Sequence, residues 1–465
     1  MGRRAPASAV WLKSSCGHAL AVSATAGNYA RMTSSHNGAG SAARQGGREG
    51  ARQSDAAATP SAQLMSPWVV LRSVSNHPFV YRKMVREVDD AARPGQVVNV
   101  YDKGLSFFGR GLFNPRSQIV VRMLTWDTTP VDDAFWRGRL TRAVELRRRL
   151  RLDEVTDACR LVHSEGDELS GLIVERYADC LVFEFFSLGM FQRHARIAAL
   201  LGEILGPPTR LDRPDRVTGT WRTVLRADAR IEAIEGFHVP SPGAYVDLEH
   251  PPRVTIREQG VRYRVDVRSG HKTGFFCDQR DNRRRFAGLC RDAVVLDLCC
   301  YTGAFGLTAK ILGGAREVTG VDLDQAAIAV ARENANLNQT RVDFVYADAF
   351  TYLRQMLATG RQFDAVVLDP PKLATARGEV PEALQKYHDF NSLAVQVVRP
   401  GGVFLTCSCT GLVSREVFRQ TVHQAARRAG RTLQLFDESG AAPDHPVMLN
   451  CPESAYLKAL WFRVL

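Results

Sequence analysis

From residue 290 onward, short apolar runs alternate with segments whose apolar residues recur every three or four positions. The runs 294–298, 318–322, 344–348, 363–369 and 402–407 predict strands. The segments 304–312, 324–338, 350–358, 382–398 and 414–429 predict helices. Such alternation makes a parallel, doubly wound α/β sheet, and ligands of such sheets bind at the carboxyl ends of the strands.

Upstream the pattern is different. Between 68 and 124, short β-like runs (68–71, 96–100, 118–122) are separated by Gly and Pro turns, which predicts a small β-barrel with the stretch 107–115 between its strands. A helix is expected over 132–152, carrying Arg142, Arg147, Arg148, Arg149 and Arg151 as a solvated face or a phosphate contact. Residues 153–248 read as α+β, with β-like runs at 171–177 and 180–186, a helix near 190–205, and proline-rich breaks at 207–208 and 240–243. Residues 1–65 are rich in Ala, Ser, Gly and Arg and cannot bury enough apolar surface to offset their ordering entropy. They read as a disordered tail or as the product of an upstream start, with Met65 the true one, ahead of a transit peptide. The expected divisions are 1–66, 67–135, 136–248 and 249–465.

Charge and cysteines narrow the class. The chain has 465 residues and 61 basic against 49 acidic side chains, a net charge of +12. This surplus suits a polyanion such as nucleic acid, or simply an Arg-rich solvated surface. No run approaches the roughly 18 apolar residues of a membrane helix. The 10 cysteines include no CxxC pair, so neither a zinc site nor a disulfide framework is expected. A soluble protein of a reducing compartment, the cytoplasm, is expected.

The candidate chemistry sits at the predicted strand ends. Asp297-Leu-Cys-Cys-Tyr301-Thr302-Gly303 follows one strand and opens a helix. Asp322, Asp348 and Asp369-Pro370-Pro371-Lys372 close the next three. Carboxylates gathered along one sheet edge suit a cationic, hydroxyl-rich ligand, and S-adenosylmethionine is a sulfonium with a ribose. A dinucleotide pyrophosphate does not suit them. Each Asp taken alone is also an ordinary helix cap. The last parallel strand runs into Cys407-Ser408-Cys409, so packing and nucleophilic roles are both open for either thiol.

These motifs together resemble a known family. Asp297…Tyr301-Thr302-Gly303, Val321-Asp322, Asp369-Pro370-Pro371-Lys372 and Ser408-Cys409-Thr410-Gly411 are similar to the class I S-adenosylmethionine-dependent 5-methylcytosine methyltransferases of large-subunit ribosomal RNA. Gly270-His271-Lys272-Thr273-Gly274-Phe275-Phe276-Cys277-Asp278-Gln279-Arg280, Asp444-His445-Pro446-Val447 and Tyr456-Leu457-Lys458 extend the likeness, as do Cys159-Arg160-Leu161 and the run 171–176. The resemblance covers about 67–465 and implies an N-terminal PUA-like β-barrel, a small α+β central domain and a C-terminal Rossmann-like methyltransferase domain.

What it implies for the site is specific. Cys409 would be the nucleophile, Asp369 would read the base edge and Lys372 would orient the base or its phosphate. Gln279, Asp297, Tyr301, Gly303, Asp322 and Asp348 would hold the cofactor. Cytosine carbon 5 is a poor nucleophile until a thiolate adds to carbon 6. Cys407 resembles the nucleophile of a different group of RNA cytosine methyltransferases. That group has a second cysteine where this chain has Pro370-Pro371, so a single-cysteine route follows, and its proton-abstracting base is unassigned, with His445 one candidate. Cys299 and Cys300 are expected to pack in the cofactor loop. The implied partner is ribosomal RNA, held partly by Arg110, Arg116, Phe107, Phe108 and Phe113 or with those aromatics in the core. A homodimer is compatible but not required. The competing readings are an RNA guanine-nitrogen methyltransferase, which needs no thiol, and a non-catalytic RNA-binding protein.

Overall fold

The computed structural model describes residues 64–208, 219–240, 253–268 and 274–465. The basic tail, most of the proline-rich break at 240–243 and the 270–273 part of the Gly-His-Lys-Thr motif lie outside the described residues.

The N-terminal unit is a six-stranded sheet made of β1 (Trp68–Leu71), β2 (Phe79–Tyr81), β3 (Val85–Val88), β4 (Val97–Tyr101), β5 (Phe107–Phe113) and β6 (Ile119–Thr125). Its order is β2-β6-β5-β4-β1-β3, with β1 and β4 the parallel pair. The stretch 107–113, expected between strands, is itself a strand. Gly109 and Gly111 make this register possible, since a Cβ at Gly109 would stand 2.1 Å from the Thr125 carbonyl on the neighbouring strand. Phe113 is in the core, Phe108 packs against it, and Phe107 is half-buried with the Arg110 guanidinium 5.0 Å over its ring.

Helix α1 (Asp133–Arg149) begins at Asp132, whose side chain accepts the Phe135 N–H at the helix start. Its apolar stripe Trp136, Leu140, Ala143, Val144 packs against a four-stranded sheet. That sheet contains β7 (Ala158–His163), β8 (Leu172–Tyr177) and β9 (Cys180–Phe185), which are followed by α2 (Leu188–Gln192) and α3 (His194–Leu205). The helix expected as one piece over 190–205 thus breaks at Arg193. The fourth strand, β10 (Arg222–Arg226), pairs parallel to β9, and α4 (Ala229–Glu235) follows. Arg142, Arg148 and Arg149 of α1 are exposed, but Arg147 is buried. The charge run is therefore not one solvated face.

No element is expected over 249–290, yet a hairpin forms there from β11 (Arg253–Glu258) and β12 (Val261–Asp266). Its signal was present: Val254, Ile256, Val261, Tyr263 and Val265 alternate about a Gln259-Gly260 turn with both residues at positive φ. The buried face of the hairpin lies between the four-stranded sheet and the C-terminal domain.

The C-terminal domain opens with α5 (Arg280–Ala287) and then alternates as expected: β13 (Val294–Leu298), α6 (Ala304–Ile311), β14 (Glu317–Asp322), α7 (Gln325–Leu337), β15 (Asp343–Tyr346), α8 (Ala349–Ala358), β16 (Phe363–Leu368), α9 (Val380–Gln396), β17 (Val398–Ser408) and α10 (Arg415–Arg428). Two further strands, β18 (Leu433–Ser439) and β19 (Lys458–Val464), close the chain. The sheet order is β15-β14-β13-β16-β17-β19-β18, and only the pairs made by β19 are antiparallel. Side chains of these strands feed two cores, one on each face: Leu296, Leu298, Val366 and Phe404 on one, Val295, Val367, Leu405 and Cys407 on the other. Among the described residues no helix is long and apolar enough to cross a membrane.

Candidate active site

The strand order reverses between β13 and β16, the switch point at which doubly wound sheets bind ligands. A cleft of about 710 Å³, partly open to solvent, lies there. Asp297 of β13, the turn after β13, Asp369 to Lys372 after β16, and Cys409 after β17 line it, with Leu457 and the segment leading into α5 completing the wall. Six residues singled out from the sequence thus meet in one cleft: Cys409, Asp369, Lys372, Gln279, Asp297 and Tyr301.

The turn after β13 is a strained segment. Cys299 and Tyr301 hold φ of +59° and +50°, and Gly303 follows at +80°. Non-glycine residues keep such angles only where surrounding contacts impose them. Here the Tyr301 N–H donates to Asp322 Oδ2 at 2.8 Å, the Cys300 N–H to the Val321 carbonyl at 3.0 Å, and the Gly306 N–H to Asp297 Oδ2 at 2.8 Å. The Asp322 carboxylate also accepts the Asp324 N–H at 2.9 Å. Asp322 therefore shapes the turn and is not among the residues lining the cleft. Gly303 does not line it either; a Cβ there would stand 2.4 Å from the Phe344 ring, so packing demands the glycine. Asp348 caps α8, accepting from the Thr351 N–H and hydroxyl at 2.8 and 2.9 Å, and lies off the cleft lining. For Asp348 the geometry is that of the helix cap.

The cysteine pair separates by environment. Cys407 is the penultimate residue of β17 and is fully buried. Burial, and then the Asp369 charge, push its thiol pKa well above the ordinary value. Cys409 lies just past the strand end, is half-buried and lines the cleft. Its turn is fixed from behind. Ser408 Oγ donates to Tyr387 Oη at 3.0 Å, Tyr387 Oη bonds Thr410 Oγ1 at 2.8 Å, and the buried Lys458 Nζ donates to the Thr410 carbonyl at 2.6 Å. The Leu373 N–H also reaches Thr410 Oγ1 at 3.2 Å, tying the Cys409 turn to the Pro-Pro-Lys loop.

Opposite, Gln279 Nε2 donates to Asp369 Oδ2 at 3.1 Å, and Asn282 Nδ2 donates to Gln279 Oε1 at 2.6 Å. Gln279 thus has its amide oriented and its donor on Asp369. Gln279 is the expected cofactor residue of the Phe275-to-Arg280 motif; Asp278 of the same motif and Arg283 of α5 also line the cleft. Arg283 is buried, pairs with both Glu258 oxygens at 2.7 and 2.8 Å, and lies 4.7 Å over the Phe275 ring. Its partner Glu258 is on β11 of the hairpin.

Beneath the cleft a buried ionic network joins the central and C-terminal domains. Arg280 chelates Asp444 at 2.7 and 3.1 Å, Arg160 bonds Glu175 at 2.8 Å, and Arg147 bonds Asp167 at 2.6 Å and the Asp444 carbonyl at 2.7 Å. Burial disfavours the Asp444 carboxylate, but the bonded His445 ring and Arg280 guanidinium outweigh it and hold the carboxyl far below the usual range. Burial and then Arg160 push the His445 pKa down. His445 is not among the residues lining the cleft, so the histidine considered as a base belongs to the network.

The donor set suits S-adenosylmethionine. Among the described residues three carboxylates, Asp278, Asp297 and Asp369, line the cleft, and their charge suits a sulfonium. Thr302 Oγ1 is buried in its wall with no hydrogen-bond partner among the described residues. A polar ligand group there would satisfy that hydroxyl.

Fold and cleft together define an S-adenosylmethionine-dependent methyltransferase. The family model of that description matches residues 241–463, and a PUA-like domain model matches 72–126. The chain belongs to the ribosomal RNA large subunit methyltransferase I family. It is 35% identical over 394 residues to the protein of that name from Salmonella arizonae, covering 84% of this chain and 94% of the relative. It is 38% identical over 399 residues to the one from Aeromonas hydrophila, covering 83% and 95%. The fold matches SMU.776, a methyltransferase solved in complex with SAH, with a TM-score of 0.70 at 19% identity over 85% of this chain and 99% of that one.

Proposed function

We propose that the protein methylates carbon 5 of a cytosine in large-subunit ribosomal RNA, in the cytoplasm, through a covalent adduct on Cys409. The observation that carries this reading is the division between the two thiols: Cys409 lines the cleft while Cys407 is fully buried with its pKa pushed up. A guanine-nitrogen methyltransferase has no use for a thiol at that position. The substrate class comes from the relatives' names and from the PUA-like domain.

The steps follow from the residues present. The bound cofactor supplies an electrophilic methyl, and Asp297, Tyr301 and Thr302 are the residues that would hold it. The Cys409 thiolate adds to carbon 6, making carbon 5 an enamine-like nucleophile. Asp369, oriented by Gln279, binds the base at nitrogen 3, and Lys372 orients the base or its phosphate. Carbon 5 takes the methyl, loses its proton, and the C–S bond breaks. The target base must leave its stack to reach the cleft. Arg110 over Phe107, exposed Arg116, and Arg142, Arg148 and Arg149 of α1 offer cations for the phosphates of the RNA around it.

The test is covalent trapping. RNA carrying 5-fluorocytosine blocks the last elimination, so wild type and Cys407→Ala should each give a cofactor-dependent protein–RNA adduct on a denaturing gel, and Cys409→Ala none. Loss in Cys407→Ala alone would transfer the nucleophile to Cys407. Methylation of ordinary RNA by a wild type that never forms the adduct would replace the cytosine reading by the guanine one.

A further inference from the structure

The cysteine route needs an acceptor for one proton. After methyl transfer, carbon 5 still carries its hydrogen, and the adduct cannot break down until a base removes it. His445 is sealed in the buried network, bound through Nδ1 to Asp444 at 3.1 Å. The acceptor must come from the cleft wall. Among the described residues three carboxylates line it. Asp297 accepts from the N–H of Gly306 at the start of α6, on the cofactor turn. Asp369 is bonded to Gln279 and serves nitrogen 3 in the reading above.

Asp278 differs from both. It sits in the short 3-10 turn Cys277–Gln279, with its backbone carbonyl accepting the Ala442 N–H at 2.8 Å. Its Oδ2 accepts from the Tyr456 hydroxyl at 2.6 Å. Tyr456 directly precedes Leu457 of the cleft wall, and both share the core on the face of the sheet where Cys407 packs and Cys409 abuts. Asp278 and Asp369 both act electrostatically on the Cys407 thiol. The Tyr456 hydroxyl thus holds the carboxylate on the thiol side of the cleft.

Resting on the cysteine route, we propose that Asp278 is the base that removes the carbon 5 proton, with Tyr456 as the positioning residue that aims it. The Asp278 carboxylate takes the proton. The electron pair of the C5–H bond re-forms the C5–C6 double bond, and the pair of the C6–S bond leaves on Cys409 as thiolate. The proton that nitrogen 3 gained on addition is given back. The proton on Asp278 is then lost to solvent, which balances the charge carried by the sulfonium at the start.

The test uses the full chain, ordinary cytosine RNA and cofactor with a labelled methyl. Asp278→Asn keeps the shape and the acceptor for Tyr456 but cannot take a proton. It should form a methylated protein–RNA adduct that survives denaturation, which wild type does not accumulate, while multiple-turnover methylation falls about 10²–10⁴-fold. The adduct should vanish in the Asp278→Asn/Cys409→Ala double variant. Tyr456→Phe should accumulate a smaller share of the same adduct, and it carries the test if Asp278→Asn does not fold. A purely structural role would lower activity without any methylated adduct, and that result in a variant with wild-type cofactor binding overturns the proposal. Release of free methylated RNA at the wild-type rate overturns it too. Failure of wild type to trap 5-fluorocytosine would instead remove the cysteine route, and this inference with it.

Discussion

Asp444→Ala should be among the most damaging single substitutions outside the cleft, for a reason visible in its partners. Asp444 has no exposed surface and accepts from Arg280 Nη1 and Nη2, the Arg160 backbone N–H at 3.0 Å and His445 Nδ1. Arg280 itself is 1% exposed. Deleting the carboxylate leaves a guanidinium in the interior with only the longer Asp281 contact, at 3.8 Å, as a directly paired counter-charge. Breaking a buried pair in this way costs about 3–5 kcal/mol. For a chain of this size unfolding as one unit, that is a fall of roughly 3–5 °C in thermal midpoint. The sign with pH is fixed as well. The folded carboxyl lies well below its unfolded value of about 3.9, so its contribution is complete above that pH and is lost as pH falls toward the folded pKa. The assay is thermal unfolding at pH 7 and again at pH 4, beside the double variant Arg280→Met/Asp444→Leu. The double variant should recover most of the loss, because it removes both charges together. A drop under about 2 °C at pH 7, or a double variant no better than the single one, would refute the claim that this desolvated pair anchors the buried network.

Gly303→Ala should weaken cofactor binding and lower stability by more than about 1 kcal/mol, because the residue sits at φ +80° and its Cβ would press on Phe344 at 2.4 Å; calorimetric titration of the cofactor reads the first effect and unfolding the second. His445 has its pKa pushed down by burial, so the unfolded chain takes up a proton below about pH 6.5 that the folded one refuses. His445→Gln should therefore flatten the decline in thermal midpoint between pH 7.5 and about 5.5; an unchanged slope would mean the ring is protonated in place. Lys458→Met should leave the Thr410 carbonyl without its donor and slow adduct formation on 5-fluorocytosine about tenfold or more while cofactor affinity holds, and stopped-time denaturing gels would show it. Asp133→Ala, which removes an exposed contact to Arg196, should leave the midpoint unchanged.

Much of the C-terminal domain is legible in the sequence. β13 matches its expected bounds, and α6 to α10 start and stop within about two residues of the periodic segments. This follows because an amphipathic helix and a strand buried on both faces have different apolar periods. The six cleft residues were legible for a topological reason: a doubly wound sheet brings the ends of its parallel strands to one edge however far apart they lie in the chain. Strand-end position alone does not say whether a carboxylate faces a cleft, a helix start or a turn: Asp348 caps α8 and Asp322 ties down the Tyr301 turn. Gly303 is expected at the cofactor, and what its glycine is needed for on this face is Phe344, 41 residues on, which a Cβ would strike.

The chain by itself determined the alternation of elements, the basic surplus, and the set of Asp, Tyr and Cys residues that end at one sheet edge, because these depend on local period and on order along the chain. The tertiary structure decided the rest. It inserted β19 antiparallel between β17 and β18, which brings Lys458 to Thr410 and Tyr456 to Asp278. It folded the 253–266 hairpin so that Glu258 meets Arg283, and it joined Arg147, Arg160 and Arg280 around Asp444. It also separated two thiols only two positions apart, because β17 ends between them and solvent reaches the second. Burial and ion pairing are set by which distant segments pack together, and no local pattern carries that information.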